Sequence, residues 1–478
     1  MNDGGSIFSQ ILAASRRCWR QRTADEFVLS MAMPLKDVDP LSQLPLLIQN
    51  QQFSFLWDRK PSICFAAAGQ CQHLDLVGSQ RFDVAQRFCD ETFDQLIDAT
   101  PEAPIHSFPK ILLAFSFFEK ITQRDAALGE QPAVQAVLPR WQLSNQKSET
   151  WLRLNGVINN ESDAREIAEQ LWLMNEKLTK ALSQEEIIDN SSIDQLSIIS
   201  TSQSSQDCYK SALSKGIELV NSGELNKLVL AVKQPIVLNK TLDPVLILSR
   251  LRYQQASSCR FLWQTNKYEA FFGASPERLL SFKGQNIRVD ALAGTANKDE
   301  DGEDLLRSDK NLREHDLVVS AIINQLVAQG LEPTFNKRPQ IAKQGHLLHL
   351  HTSISAVARN QLPMSLIEGL HPTPAVSGHP QRKALNWLRA LEPFDRGGYA
   401  APIGWIDNCG NAEFRVAIRC GYTKGNKLDL IAGAGLVRGS TIEGELEEVN
   451  LKLAILADQL TLGQFNSQSK VFNRRSIT

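Results

Sequence analysis

Apolar residues near the C-terminus recur at Leu446, Val449, Leu453, Leu456 and Leu460, the three-and-four spacing of one face of an α-helix. The pattern predicts a helix from Glu443 to Leu460 whose stripe faces a core. At about 100° per residue, Glu445, Glu448 and Lys452 fall together along one border of the stripe, whereas Glu443 and Glu447 point to the opposite side. Carboxylates at the edge of a buried face need positive compensation. Lys452 and the first turn's partial positive charge supply part of it, and two acids with one base leave room for a hard cation such as Mg2+.

The same period predicts helices from Leu312 to Ala328 and Arg382 to Leu391, and a helix-like run from Arg165 to Glu186. Alternation and β-branched residues predict strands at Leu225 to Val232, Tyr268 to Ser275, Asn286 to Gly294, His346 to Ala356, Glu413 to Tyr422 and Lys427 to Gly435. The last ends in AGAG, which reads as a glycine turn beside the acidic helix, without the spacing of a dinucleotide site. A Ser-, Asp- and Gln-rich stretch from Ile188 to Asp207 has linker composition. It separates residues 1–200, read as mixed short strands and loops, from residues 201–465, which hold nearly all the unusual motifs. The two parts are expected to form one structural domain. Many strands at hairpin-length gaps with interspersed helices predict a mixed, largely antiparallel α/β architecture.

Composition narrows the partners more than the fold. With 42% hydrophobic and 22% charged residues the chain is an ordinary globular sequence, and a formal charge of -2 offers no basic excess for nucleic acid or an anionic membrane. A small-molecule ligand is the expectation. Eight scattered cysteines form no CxxC pair, which points away from zinc and disulfide frameworks and toward a reducing, cytoplasmic setting. The most apolar run, Ile111 to Phe118, is far shorter than the roughly 20 residues that span a bilayer. The N-terminus matches a secretory signal poorly, and Arg16, Arg17, Arg20 and Arg22 are its one feature of an organelle transit peptide.

Several polar residues interrupt apolar segments. Lys227 shares a strand face with Val229 and Ala231, so it is either an edge-strand lysine or one whose pKa falls on desolvation until it can act as a base. Glu277 follows Ser-Pro in a turn, where a carboxylate is ordinarily solvated, and Glu314 near the start of a helix reads singly as a surface residue. His349 and His351 share a strand face and His346 takes the other, with no cysteine or carboxylate at a ligand spacing, so hydrogen bonding to a ligand is favoured over zinc. Arg419 interrupts an apolar strand, either as a buried ion-pair partner or as a fork for a ligand carboxylate.

Taken in order, NKLVLA, FFGASPERLL, ALAGTA, REHDLVV, HLHTSISA, LHPTPAVSGHP, GGYAAPIGW, FRVAIRC and AGAGLVRGSTIEGELEEVNLKL resemble the chorismate-utilising enzymes, and within them most nearly the isochorismate synthases. The match runs from about Asn226 to Leu453, and the first 200 residues match only loosely. The resemblance implies two curved, mostly antiparallel sheets in one large sandwich flanked by helices, with one deep site for chorismate. It implies Mg2+ on Glu314 and Glu448, with Glu445 acting through a bound water. Arg419 and Tyr399 resemble the clamp on the enolpyruvyl carboxylate, and Lys452 and the backbone at Gly433 complete anion binding. Lys227 resembles the base that activates water for attack at ring C2, and Glu277 the acid that protonates the leaving C4 hydroxyl. Gly294 and Thr295 would line the C4 side, His349 the ring's rim, and Ala375 would mark a water-adding member where ammonia-using and lyase-active members tend to carry threonine. Asn311 stands where some members have an extra acid.

The implied activity is isomerisation of chorismate to isochorismate, feeding menaquinone, phylloquinone, siderophore or salicylate synthesis, by a monomer or homodimer without an obligatory protein partner. Salicylate-forming and aminating relatives, the anthranilate and aminodeoxychorismate types, are the alternative. A catalytically silent anion-binding relative is a third reading, opposed by the joint presence of Lys227, Glu277, Glu314 and Glu448.

Overall fold

A computed structural model describes residues 3–22, 24–49, 51–59, 61–119, 132–182, 196–202, 204–297, 302–345 and 347–461. Its 21 strands are linked into one hydrogen-bonded network. The pairings resolve this network into two sheets that share the long strand Val134–Gln146, whose N-terminal half pairs with Lys110–Phe115 and C-terminal half with Glu149–Ile158. The first sheet continues from the shared strand through Ile63–Leu76, Ser54–Arg59, Cys259–Asn266, Glu269–Ser275, Cys420–Lys424 and Lys427–Leu436 to Lys227–Leu238. The second runs from Lys110–Phe115 through Pro402–Asp407, Ala412–Val416, Arg278–Lys283 and Asn286–Asn297 to Leu347–Val357. Pairing is antiparallel except for Phe27–Leu35 with Leu96–Asp98. The sheets meet through apolar side chains: the Phe65 ring of the first lies 6.1 Å from the Trp405 ring of the second. The expected two-sheet sandwich is the observed architecture, with its sheets joined at one strand.

The helices lie where the 3.6 period puts them. The C-terminal one spans Ile442–Thr461 and buries Val449, Leu453, Leu456 and Leu460, while Glu443 and Glu447 are exposed. Asp309–Ala328 begins at a Ser308 cap whose hydroxyl accepts from the Asn311 N–H, and Gln381–Leu391 turns Ala384 and Leu388 inward. The run expected from Arg165 is the helix Glu161–Leu182, which packs against Asp3–Gln21. The arginine-bearing N-terminal segment is thus part of the packed fold, with Ile11 and Cys18 buried.

Three expectations need correction. The first 160 residues hold some of the longest strands, because Ile63–Leu76 is buried on both faces over its first seven residues and alternates only afterwards, a mixture that hides its length. Part of the supposed linker is structured: Ile198–Thr201 pairs with the end of Lys227–Leu238, and a helix covers Ser204–Asn221. The AGAG segment is no turn. The strand Lys427–Leu436 runs through both glycines, held by continuous pairing with residues 228–237.

Strands from before residue 160 pair with strands from beyond residue 250, and a buried ion cluster marks this junction. Asp58, fully buried on Ser54–Arg59, accepts from Arg260 Nε at 3.1 Å and Arg252 Nε at 2.7 Å. Removing the carboxylate takes the acid partner from buried Arg260 and leaves Arg252 with Asp39 at 2.9 Å, so Asp58→Ala should cost about 3–5 kcal/mol, read as a lowered urea midpoint.

Candidate active site

Between the sheets lies a small cavity of about 70 Å³. Twelve of the thirteen residues singled out above line it: Lys227, Glu277, Gly294, Thr295, Glu314, His349, Ala375, Tyr399, Arg419, Gly433, Glu448 and Lys452. The thirteenth, Glu445, is buried immediately outside that lining. Positions up to 225 residues apart in sequence thus converge on one point.

Strand Lys227–Leu238 sets Lys227 and Val229 toward the cavity by simple alternation. Lys227 is no edge residue, since His379 pairs opposite it on one side and Lys427–Leu436 covers the other. It is 1% exposed, with its ammonium 2.8 Å from Glu314 Oε1. Glu314 reaches this point because its neighbour His315 is buried and bonds Thr352 Oγ1 at 2.8 Å, pinning the helix Asp309–Ala328 to the second sheet. Gly435 faces the pair so closely that a Cβ there would lie 2.8 Å from Glu314 Oε1 and 3.0 Å from Lys227 Cε. Glycine is needed in this strand to leave room for an ion pair.

Glu277 sits in the two-residue gap between Glu269–Ser275 and Arg278–Lys283, yet it is only 3% exposed. Burial pushes its carboxyl up to about 8, against the opposing pull of Lys227, so it carries a proton at neutral pH. Gly294 is the bulge of Asn286–Asn297, with φ +78, and the irregularity leaves Thr295 Oγ1 3.2 Å from His349 Nδ1. His349 faces the Arg419 guanidinium through Nε2, while His351, two residues on, bonds Asp290 at 3.3 Å. Burial and Arg419 hold His349 well below its ordinary value, hence neutral. His346 lies outside the described residues.

The strand expected from Glu413 to Tyr422 is broken into Ala412–Val416 and Cys420–Lys424, because Arg419 takes a left-handed φ of +52. That conformation costs a non-glycine residue on the order of 1 kcal/mol, and it turns the guanidinium into the cavity. Arg419 Nη1 is buried without a hydrogen-bond partner, the mark of a donor kept for an acceptor the protein does not itself provide. Tyr399 is buried beside Gly433, whose carbonyl accepts from Lys452 Nζ at 2.8 Å.

The border carboxylates of the C-terminal helix each carry a lysine. Glu448 bonds Lys452 Nζ at 2.6 Å, and Glu445 Oε1 bonds Lys310 Nζ at 3.0 Å. Burial, reinforced by Glu448, raises the Glu445 carboxyl, and its Oε2 is buried without a hydrogen-bond partner. Oxygen donors on one cavity with an orphaned carboxylate oxygen beside them suit a hard cation. Among the described residues no three His, Cys, Asp or Glu side chains are gathered closely enough to chelate an ion. A metal here would therefore draw ligands from water or substrate as well, which is the ordinary habit of Mg2+.

A family model described as chorismate binding enzyme matches residues 12–461. The chain belongs to the chorismate-binding enzymes. Among these it is 35% identical over 312 residues to isochorismate synthase MenF of Bacillus subtilis, covering 63% of this chain and 64% of that one. It is 33% identical over 259 residues to isochorismate synthase EntC of Escherichia coli K12, covering 52% and 66%. The chain thus spans somewhat under two thirds of these relatives' lengths. Among solved structures, the menaquinone-specific isochorismate synthase MenF of Escherichia coli superposes over 94% of this chain and 100% of its own with TM-score 0.73 at 24% identity. Anthranilate synthase component I of Streptococcus pneumoniae does so over 84% and 93% with TM-score 0.64 at 17%, so the fold is common to members with different chemistry.

In this chorismate-binding enzyme two supporting residues escaped the sequence reading. Glu392 accepts from the Ala231 N–H at 2.8 Å and pairs with Arg396, which donates to the carbonyls of Val229 and Val376 at 2.7 Å each. The pair ties the strand bearing Lys227 to the segment bearing Ala375. Its only sequence signal is a four-residue charge spacing beyond a helix end, which is indistinguishable from a surface pair.

Glu277→Gln should lower turnover by about 10²–10⁴ as a lost proton donor, and it should also stabilise the fold. Because the folded carboxyl titrates near 8, wild-type stability falls as pH rises from the ordinary carboxylate range to about 8; the variant's advantage in melting temperature should grow through that window and then level off. Gly435→Ala should lower kcat/KM far more than melting temperature, since its methyl displaces the Lys227–Glu314 contact.

Proposed function

We propose that the protein is an isochorismate synthase that isomerises chorismate with Mg2+ as cofactor. The observation that carries this reading is a buried carboxyl, Glu277, held neutral on the same cavity as a buried lysine, Lys227, whose ammonium contacts Glu314. The names of the relatives at 33–35% identity support it.

Arg419 Nη1 and Tyr399 would bind the enolpyruvyl carboxylate, and Lys452 with the Gly433 backbone would hold the anion in register. Lys227, released from Glu314 and made neutral by loss of its ammonium proton to solvent, would take a proton from water as the water oxygen bonds to ring C2. The ring double bonds shift, the C4–oxygen bond breaks, and Glu277 gives its proton to the departing hydroxide, which leaves as water. Return of the proton from Lys227 to Glu277 closes the cycle with no net change in composition. Glu314 and Glu448 would hold Mg2+, with Glu445 through a water, and the ion would neutralise the ring carboxylate. His349, neutral and fixed by Thr295, lines the rim. Ala375 leaves space rather than a hydroxyl near the reacting ring, favouring water addition over amination or pyruvate elimination.

Chromatography of the products formed from chorismate and Mg2+, with and without ammonia, should give isochorismate alone. Salicylate with pyruvate, or an aminated product, would refute the assignment. Lys227→Ala should abolish turnover while chorismate still binds in the presence of Mg2+; loss of binding as well would make Lys227 a ligand contact instead of a base.

A further inference from the structure

A second and much larger cavity, of about 720 Å³, opens on the outer side of the second sheet, apart from the residues of the first. Cross-strand register builds its floor: Lys283 pairs with Asn286, Ser281 with Arg288, and Arg288 in turn with Ser355, so that these side chains share one face. Arg59, at the end of its strand, and Arg359 stand at the rim. Five cationic side chains, Arg59, Arg278, Lys283, Arg288 and Arg359, therefore border the space against one lining carboxylate, Glu332.

The balance is not restored from behind. Arg59 and Arg278 lean on Glu413 at 3.1 Å and Asp290 at 3.3 Å, but Glu413 is shared with Arg415 at 2.7 Å and Asp290 with His351 at 3.3 Å. Lys283 and Arg288 are exposed and make no ion pair among the described residues. Arg278 is 8% exposed, and its Nε is buried without a hydrogen-bond partner. A buried guanidinium donor left unsatisfied beside other like charges destabilises the protein alone and is relieved by an anion. The volume lies in the range of about 300–1,000 Å³ usual for small-molecule sites.

We propose that this basic cavity binds a compact polyanion of metabolite size, a phosphorylated or polycarboxylate molecule, at a site separate from the chorismate cavity. Arg278 and the exposed Lys283 and Arg288 are its principal contacts. Binding there does not depend on the reading of the catalytic cavity, although Arg278 directly follows Glu277 in the chain.

Calorimetric titration of the full chain with inorganic pyrophosphate, in the absence of Mg2+ and chorismate, tests the site. Saturable binding at one site is expected. It should weaken about tenfold or more in Lys283→Ala/Arg288→Ala, because a charge-assisted contact is worth about a factor of ten. Both substituted side chains are exposed, so the urea midpoint should stay that of the wild type. Lys452→Ala, in the other cavity, should leave the titration unchanged. A parallel titration with citrate separates the sources: pyrophosphate alone binding identifies a phosphorylated ligand, citrate alone a polycarboxylate, and both any compact polyanion. Absence of saturable binding by either probe, binding indifferent to the double variant, or binding lost in Lys452→Ala would overturn the proposal.

Discussion

Everything at the first cavity depends on how a protein keeps several carboxylates and ammonium groups together in a largely buried space. The penalty for an isolated buried charge is large, and Glu314, Glu448 and Glu445 each meet it with one lysine: Lys227, Lys452 and Lys310. Glu277 meets it differently, by keeping its proton. The contrast is the functional point. Three acids each have a basic partner from another element or the next helical turn. The fourth, with no direct cationic partner among the described residues, stays neutral and keeps its proton. The proposed acid and base roles rest on this difference in pairing.

That pairing depends in turn on placement by the two sheets. Lys227 comes from the last strand of the first sheet, Glu277 from the gap before a strand of the second, and Glu314 from a helix fastened to the second sheet by His315. Because one strand belongs to both sheets, and strands from before residue 160 complete both, the N-terminal region sets the separation across which these groups meet. Its weak motif content reflects this part in the fold: it contributes spacing and core, which many sequences can supply, and no side chain to the lining.

Where the sequence was legible, the signal was periodic. The stripe at Leu446 to Leu460 located the C-terminal helix and separated the cavity-side Glu445 and Glu448 from the solvated Glu443 and Glu447, and alternation aimed Lys227 and Val229 together. What stayed hidden was set by contacts distant in sequence. Glu277 follows Ser-Pro and looks solvated, since nothing local reveals that two sheets close over it. The AGAG segment looks like a turn, because local glycine chemistry favours one, and only the facing strand keeps it extended. Arg419 was read as part of a continuous strand, although its left-handed backbone breaks that strand and aims the guanidinium inward. The basic cavity left no trace at all: its cations range from Arg59 to Arg359, and the chain's net charge of -2 averages them away.

Three of the buried unsatisfied atoms border the two cavities. Arg419 Nη1 and Glu445 Oε2 are buried without partners at the edges of the first cavity, and Arg278 Nε is so beside the second. Each such group costs on the order of 1–3 kcal/mol relative to a satisfied one. A donor left open toward a cavity binds a carboxylate without first breaking an internal bond, so the cost borne in the free protein reappears as affinity when the acceptor arrives. The strained φ of Arg419 belongs to the same trade, because it holds the donor in position before the ligand enters. The stability withheld at these few atoms is therefore the physical form that preorganisation takes here.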